Sequence, residues 1–516
     1  MATNRAKTYQ LVLFPLNNGA TNVYYVLVLS YIATFGSNVL LLGTLFASIM
    51  VTGMRLCDAI TDPIIGAAMD RTNGKFGKFR PFMVIGNLIM AAAILVLYCL
   101  TPMIPDTMMW ARYVAFVGLY FVWVIGYTFQ TSCTRSGQTV LTNDPNQRPL
   151  FTIFNTVGSL LGMGAMQFFA PILASNYEGG YSSAAFFATL APVGIVISMI
   201  LTALAVVGIW EKDQPKYFGI GGGTKTEKVK ISEYVEIITH NNPMQRLMVA
   251  GAGCKLALSI ATNTTVLCML YGCMMGNYDG LYLPMMVIGY VCSVPFFLLT
   301  VRTSQKYGQK ASLLRYVSVA LICYVGVLVL LLLWGHGDAF NLSILGDNGL
   351  ELNLYTILFI ACFGIGYGAY YATADMPIPM VADCSDYETY RSGKYIPGIM
   401  GTLFSLVDKL VSSLSATVVG IAVSIIGLST LPTQYDDYTP GMNWVVIILF
   451  CIIPMVAWSL TLVAMKNYSL TGARMKEIQA INACRRDAVA NGMTLEDAME
   501  KWKTVEELPE EYRPAK

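Results

Sequence analysis

Arg55, Asp58 and Asp62 stand in the stretch RLCDAITDPIIGAAMDR, Arg55 to Arg71, which is otherwise apolar enough for hydrocarbon. A charge at the centre of a membrane helix costs about 2.5–3.5 kcal/mol, so a chain keeps one there only for a task. Spacings of three and four put the three side chains on one helix face. Two carboxylates one turn apart repel unless a cation lies between them or one is protonated. That is the electrostatic requirement of a Na⁺ or H⁺ site, with Arg55 holding the pair when no ion is bound. The alternative is a salt-bridge cluster that locks two helices.

Such residues need a membrane protein around them, and the composition supplies one. The chain has 516 residues, 55% of them hydrophobic and 12% charged, and a mean hydropathy of +0.56, too apolar for a soluble domain of this length. Apolar runs long enough for a hydrocarbon core of roughly 30 Å recur about twelve times. They fall near 11–34, 41–69, 81–101, 108–134, 150–174, 184–210, 245–276, 281–301, 312–334, 354–382, 396–430 and 442–465. They do not alternate as strands of a membrane barrel do, so the spanning elements are α-helices. The expected fold is an all-α membrane protein of twelve transmembrane helices in two six-helix bundles.

Lys and Arg orient it, because short basic loops stay cytoplasmic. Loops 35–40, 175–183, 277–280, 335–353 and 431–441 have none, and 102–112 has only Arg112. The alternate loops hold Arg71, Lys75, Lys78 and Arg80; Arg148; Lys212, Lys216, Lys225, Lys228 and Lys230; Arg302, Lys306, Lys310 and Arg315; Arg391 and Lys394. Both termini are then expected in the cytoplasm, in the cell (inner or plasma) membrane. No cleaved signal peptide is expected, since the first ten residues are polar. Neither disulfides nor a metal site other than Na⁺ at Asp58 and Asp62 is indicated, and the net charge of +2 gives no reason to expect nucleic acid.

The chain divides into an N-terminal bundle over 1–210, a central loop over 211–243, a C-terminal bundle over 244–465 and a tail over 466–516, with a monomer expected. A long polar loop at the midpoint is what a duplicated transporter carries. Its Gly221-Gly222-Gly223 reads as flexible linker, since no strand precedes it and no Lys-Ser/Thr follows. DRTNGKFGKFRP after the second span is echoed by RTSQKYGQKAS after the eighth. The tail stretch TLEDAMEKWKTVEELPEEY begins like a capping box and suits a short amphipathic helix; it is read as a passive, solvated tail.

The string from Asp58 to Pro81, D-A-x-x-D-P-x-x-G-x-x-x-D-R-T-x-x-x-x-G-K-F-R-P, resembles the glycoside-pentoside-hexuronide:cation symporter family of the major facilitator superfamily. PMVADCSDYETYRSGKYIPGI around Asp383 and Asp386, Lys409 in FSLVDKLVSSL, and Tyr127-Thr128 in the fourth span extend the resemblance over most of the chain. It implies secondary active transport, in which solute and cation share a cavity and two halves expose it alternately. It implies that Asp58, Asp62 and Thr128 bind Na⁺, H⁺ or Li⁺; Thr131, where the family has an acid, is expected to add a further oxygen for Na⁺. Arg55, Asp70, Arg71, Asp383 and Asp386 would gate, and Lys409 would pair with the second-span acids. No cofactor is expected beyond the coupling cation; the partners are a small solute, that cation and lipid.

The departures concern the cargo. Where sugar carriers of the family have an acid four residues after the Tyr, this chain has Thr131; where the melibiose carriers have a sugar-stacking Trp, it has Arg135. The first-span acid is replaced by Asn22. Carboxylates grip several hydroxyls better than Asn and Thr do, and Arg135 offers a planar fork for an anion. An anionic or amphipathic solute such as a hexuronide is therefore expected, with Asn22, Tyr127, Arg135, Asn263, Tyr371 and Lys409 lining its site. The other reading of Arg135 is a snorkelling or capping side chain. Lys255 is read as snorkelling to the cytoplasm, and Asp408 as pairing away from Lys409. Tyr367, Tyr370 and Tyr371, beside Asp375, form either a stacking wall or bundle packing. His240 and His336 fall in loops and no catalytic pairing is present, so the chain is not read as an enzyme. Alternatives of the same fold are a lysolipid transporter and a non-transporting sensor.

Overall fold

The computed structural model describes residues 5–72, 76–141, 148–214, 239–336, 340–346, 349–350, 352–374, 376–393 and 397–513. Among the described residues, ten helical stretches are long and apolar enough to cross a membrane: Thr44–Asp62, Arg80–Met103, Asp106–Thr134, Val157–Ala174, Ala184–Ile209, Tyr278–Ser304, Gln309–Leu333, Leu354–Thr373, Leu403–Ile425 and Met442–Lys466. The pair Asn242–Ala261 and Thr264–Met274 makes an eleventh if taken as one bent span. Of the twelve expected spans, the one near 11–34 is not among them. Its chain is broken into Thr8–Leu13, Leu16–Tyr25 and Ile32–Thr34, with π-helical turns at Val26–Ser30 and Phe35–Val39. Pro15 removes a backbone donor there, and the breaks leave no single helix as long as the other spans. A two-stranded antiparallel hairpin, Leu345–Gly346 against Gly349–Leu350, departs from the all-α expectation; it lies in the polar loop between the ninth and tenth expected spans.

The chain forms two compact units, and they are not its consecutive halves. The first comprises Met1–Lys225, Asn263–Asp279 and Ser413–Val445; the second comprises Thr226–Thr262, Gly280–Ser412 and Val446–Lys516. Polar contacts explain what the first unit takes from the distal chain. The Thr52 hydroxyl lies 2.8 Å from that of Thr417 and donates to the Ser413 carbonyl at 3.1 Å. The Thr44 and Ser424 hydroxyls are 2.9 Å apart, and the Leu431 N–H donates to Asn38 Oδ1 at 2.9 Å.

Within the first unit a buried polar seam joins the helices. Asn17 Nδ2 donates to the Gln130 carbonyl at 3.0 Å and the Thr134 hydroxyl at 2.7 Å, and Gln130 Nε2 returns a bond to Asn17 Oδ1 at 3.1 Å. Gln130 also donates to Thr202 at 2.7 Å, and Asn87 donates to Ser198 and Thr202, both at 2.9 Å. Interhelical bonds of this kind contribute roughly 0.6–2 kcal/mol each in a membrane. Small residues let the backbones close: a Cβ on Gly162 would collide with the Gly19 carbonyl, and one on Gly158 would sit 2.7 Å from the Pro15 carbonyl.

The sequence echo is real in the backbone. Gly77 and Gly308 adopt φ of +86° and +87°, and each leads into the next long helix, Arg80–Leu95 or Gln309–Leu333. In the first unit this corner is pinned by Asp213, wholly buried. Its carboxylate accepts from the backbone N–H groups of Lys78 at 2.7 Å, Phe79 at 3.0 Å and Arg80 at 2.9 Å, and from Arg80 Nε at 3.3 Å. Arg112, the one Lys or Arg in its set of loops, is a clamp: it donates to the Ile104 and Leu40 carbonyls and pairs with Asp106 at 2.6 Å.

In the second unit Tyr324, Tyr370 and Trp458 form an aromatic core, with ring centroids 4.9–5.7 Å apart. The tail is not wholly solvated. Gly472–Ala490 and Leu495–Lys501 enclose a small core of Ile481, Cys484, Ala498, Trp502 and Leu508 against Tyr390. Arg485 is almost fully buried; it donates to the Tyr390 carbonyl at 2.7 Å and twice to the Trp502 carbonyl, at 3.0 and 2.6 Å. The capping residue Thr494 accepts from the Asp497 N–H, as its sequence suggests.

Two outcomes follow. Gly162→Leu forces two backbones apart at a cost of about 1–3 kcal/mol or more, and lowers the detergent melting temperature. Gly164→Leu, with open space around its Cβ position, leaves melting near wild type. Arg485→Ala strips the guanidinium from two buried carbonyls, and limited proteolysis of the variant then cuts 472–513 while sparing the membrane helices.

Candidate functional site

The second-span acids are placed by the Thr44–Arg71 helix. Asp58 is wholly buried and Arg55 nearly so. Arg55 donates to Asp58 Oδ2 at 3.2 Å, and its guanidinium lies between two rings, 5.5 Å from the Tyr25 centroid and 5.3 Å from that of Tyr127. The Tyr127 ring stacks on Trp123 at 5.0 Å. The cation is thus held by one carboxylate and two aromatic faces, an arrangement that tolerates a guanidinium away from bulk water.

The other oxygen of Asp58 accepts from the Thr128 hydroxyl at 2.8 Å. Thr61 completes the group: its hydroxyl donates to the Asp58 carbonyl at 3.0 Å and lies 3.2 Å from the Thr128 hydroxyl. Asp62 follows one turn later, half-buried. Arg55, Asp58, Thr61 and Thr128 therefore form one cluster of oxygens with one internal cation. Removing Arg55 would strand a buried carboxylate, at a cost of about 3–5 kcal/mol.

The remaining expected residues scatter. The Thr131 hydroxyl bonds back to the Tyr127 carbonyl at 2.9 Å. Asn22 Nδ2 donates to the carbonyl and side chain of Asn18. Asn263 is a helix cap where its helix breaks, its Oδ1 accepting from the N–H groups of Thr265 and Val266 at 3.0 and 3.4 Å. In the second unit Tyr371 stacks on Tyr367 at 5.5 Å and meets Tyr290 edge-on at 5.6 Å. Tyr367 and Tyr370 are sealed in the core, so of the three tyrosines only Tyr371 keeps partial exposure. Lys409 is buried. Lys255 does not snorkel: its ammonium pairs with Asp408 Oδ1 at 3.7 Å, which supplies the partner expected for Asp408 away from Lys409. Asp70, Arg71 and Arg135 lie on helices, but their side chains are outside the described residues, as are Asp375 and 215–238 of the central loop.

Asp383 and Asp386 sit one turn apart on the helix Pro377–Ser392, under the tail: Gln479 Nε2 donates to Asp386 Oδ2 at 3.3 Å and Asn482 Nδ2 to its carbonyl at 2.9 Å. Burial, and then the neighbouring Asp386, push the Asp383 carboxyl up to about 6. Glu388, also buried, is held below its usual range: burial works the other way, but bonds from Arg391 and Asn241 prevail.

Sequence reasoning does not single out Tyr25 or Thr61. Thr61 carries a weak signal, three residues after Asp58 on the same face; Tyr25 carries none, since nothing in its local pattern tells that it covers Arg55.

The architecture is that of a multi-span helical membrane protein. Solved structures of similar fold include a bacterial homologue of the human drug peptide transporters PepT1 and PepT2, at a TM-score of 0.53 and 14% identity over 89% of this chain and 98% of that one. The nucleoside transporter NupG matches at a TM-score of 0.53 and 13% identity, over 90% of this chain and 100% of that one. The family model for MFS/sugar transport proteins matches residues 14–472, and the chain belongs to that family. Similar curated proteins include the uncharacterized symporter YjmB of Bacillus subtilis (strain 168), 27% identical over 72% of this chain and 73% of its own. The isoprimeverose transporter of Lactiplantibacillus pentosus is 23% identical over 81% and 79%. These relatives agree with the glycoside-pentoside-hexuronide symporter resemblance and with a protein that is not an enzyme.

The Asp383 environment makes a pH prediction. A carboxyl whose folded pKa is raised binds its proton more tightly when folded. Its stabilising share is therefore present below about pH 4 and is lost as pH rises through about 6. Asp383→Asn removes that loss, so the melting temperature of the variant relative to wild type rises between pH 4 and pH 7. A difference constant with pH would contradict this environment.

Proposed function

We propose that the protein is a cation-coupled secondary active symporter that moves a glycoside, hexuronide or related small organic solute by alternating access. It would work in the cell membrane as a monomer with twelve spans and cytoplasmic termini. Relatives named as a lactose permease from Lactobacillus helveticus, a raffinose carrier protein from Pediococcus pentosaceus and an isoprimeverose transporter support a saccharide-like cargo.

One observation carries the coupling: the buried Asp58 carboxylate, held at once by Arg55 and Thr128, with Asp62 one turn away. Two carboxylates one turn apart repel unless a cation shares their site or one takes up a proton, and one Na⁺ or one proton would relieve that repulsion. The Thr61 and Thr128 hydroxyls and the Asp58 oxygens are the hard donors that Na⁺ prefers. Arg55 then acts as the internal counter-ion that holds Asp58 while no external cation is bound. Arg55 Nε, the Tyr120 hydroxyl and Trp123 Nε1 are buried without a hydrogen-bond partner among the described residues, and a solute rich in oxygen would satisfy such groups.

The test is solute uptake and counterflow in proteoliposomes under an imposed Na⁺ or H⁺ gradient. Asp58→Cys and Asp62→Cys are expected to abolish cation-stimulated uptake, by roughly 100-fold for loss of an essential ion ligand, while residual solute binding persists. Thr128→Ser should keep coupling and Thr128→Ala should weaken it. Unaltered coupling in both aspartate variants would refute the site, and binding without counterflow would mark a sensor instead.

A further inference from the structure

Three of the loops that carry no Lys or Arg meet at one place in the first unit. They are 35–40, 175–183 and 431–441, which the rule for basic loops puts together on the non-cytoplasmic side. The strap 431–434 lies across the other two. Asn38 Nδ2 donates to the Leu431 carbonyl at 2.7 Å and to the Ser182 hydroxyl at 3.0 Å. The Leu431 N–H donates back to Asn38 Oδ1 at 2.9 Å and to the Ser37 hydroxyl at 3.1 Å. Asn38 thus grips both backbone groups of Leu431. Within the strap the Asp436 carboxylate accepts from the Thr433 N–H at 2.7 Å and from its hydroxyl at 3.1 Å.

The bed beneath is made of glycine and cysteine. A Cβ on Gly180 would strike the Gln434 side chain, and one on Gly272 the Gln434 carbonyl. The Cys273 thiol donates to the Thr433 carbonyl at 3.3 Å, and Cys273 and Cys268 are both buried. Leu431, Thr433 and Gln434 are buried too, whereas Tyr435 and Tyr438 just beyond are 47% and 49% exposed. The strap therefore has a dry underside and a wet shoulder.

We infer that residues 428–438 form a reversible lid on the non-cytoplasmic face, with Asn38 as its catch and the turn from Cys268 to Cys273 as the surface it covers. The bonds that hold it are ones water can replace, so each adds little net stability and parts at little cost. Glycine under Gln434 gives the strap a bed without side chains to interlock with. The lid also spans a long separation in sequence, from the expected C-terminal bundle to Ser37, Asn38 and Ser182 of the expected N-terminal one. Contacts of that kind are those that alternating access must break, and the inference rests on the symporter reading above for the lid's purpose, the admission of solute.

Cys273 is a built-in reporter. Cells carrying the full-length protein are treated with a membrane-impermeant maleimide, and labelling of Cys273 is read as the difference between each protein and its Cys273→Ser counterpart. A buried thiol reacts only in the opened state, so its rate follows the population of lifted lids. Wild type is expected to label slowly. Asn38→Ala, which removes two bonds to the strap and one to Ser182, should label about tenfold faster or more, while Cys451, buried in the second unit, stays unlabelled. Should Asn38→Ala fail to fold, Ser37→Ala, which removes a single bond to the Leu431 N–H, should speed labelling severalfold. Equal labelling of Cys273 in wild type and variants overturns the inference. Wild-type labelling as fast as in denatured protein overturns it as well, because no lid then covers the thiol. Faster labelling in which Cys451 takes part is unfolding, and also overturns it. The symporter reading is judged separately, by counterflow: a lid that lifts in a protein without counterflow keeps this inference and removes that reading.

Discussion

A charge in hydrocarbon must meet its opposite inside the protein, and that requirement organises both units. In the first unit it produces a guanidinium held by a carboxylate and two tyrosine rings, and in the second an ammonium facing a carboxylate. The same rule extends to uncharged polar groups. Asn17, Gln130, Asn87, Ser198 and Thr202 answer one another across four helical stretches, and Asp213 answers three backbone donors and a guanidinium at one loop. Each is a place where lipid offers nothing, so a distant part of the chain must arrive to serve as partner.

How far the sequence reveals this depends on how far apart the partners are. Helical content, the spacing of Arg55, Asp58 and Asp62, and the turn shared by Gly77 and Gly308 are local, and a helical period of about 3.6 residues makes the helical features readable. The role of Thr128 is readable only through family resemblance. Lys255 and Asp408 come from helices far apart in the chain, beyond any spacing rule, so the sequence alone suggests that Lys255 reaches for water instead. The first expected span is missing from the long helices for a related reason: its helix is broken into short pieces, and within them Asn17 is wholly buried and bonded and Asn22 is tied to Asn18, contacts that no local pattern announces. The tail reads as solvated because its amphipathic face is visible in sequence and the Tyr390 surface that covers it is not.

The division into units separates what sequence order suggests from what packing does: position along the chain does not decide where a segment coheres. The stretches Asn263–Asp279 and Ser413–Val445 fall in the expected C-terminal bundle by sequence and in the first unit by packing. Asn263 stands at that boundary, capping the helical piece that passes to the other unit. A residue that looks like a ligand candidate is a joint.

The docked tail bears on how the chain is made. Arg485 and Trp502 leave the ribosome well after Tyr390, whose ring and carbonyl they cover. Until then this corner of the second unit exposes an aromatic face and an unanswered helix end. Its closure therefore waits for the last part of the chain to be made.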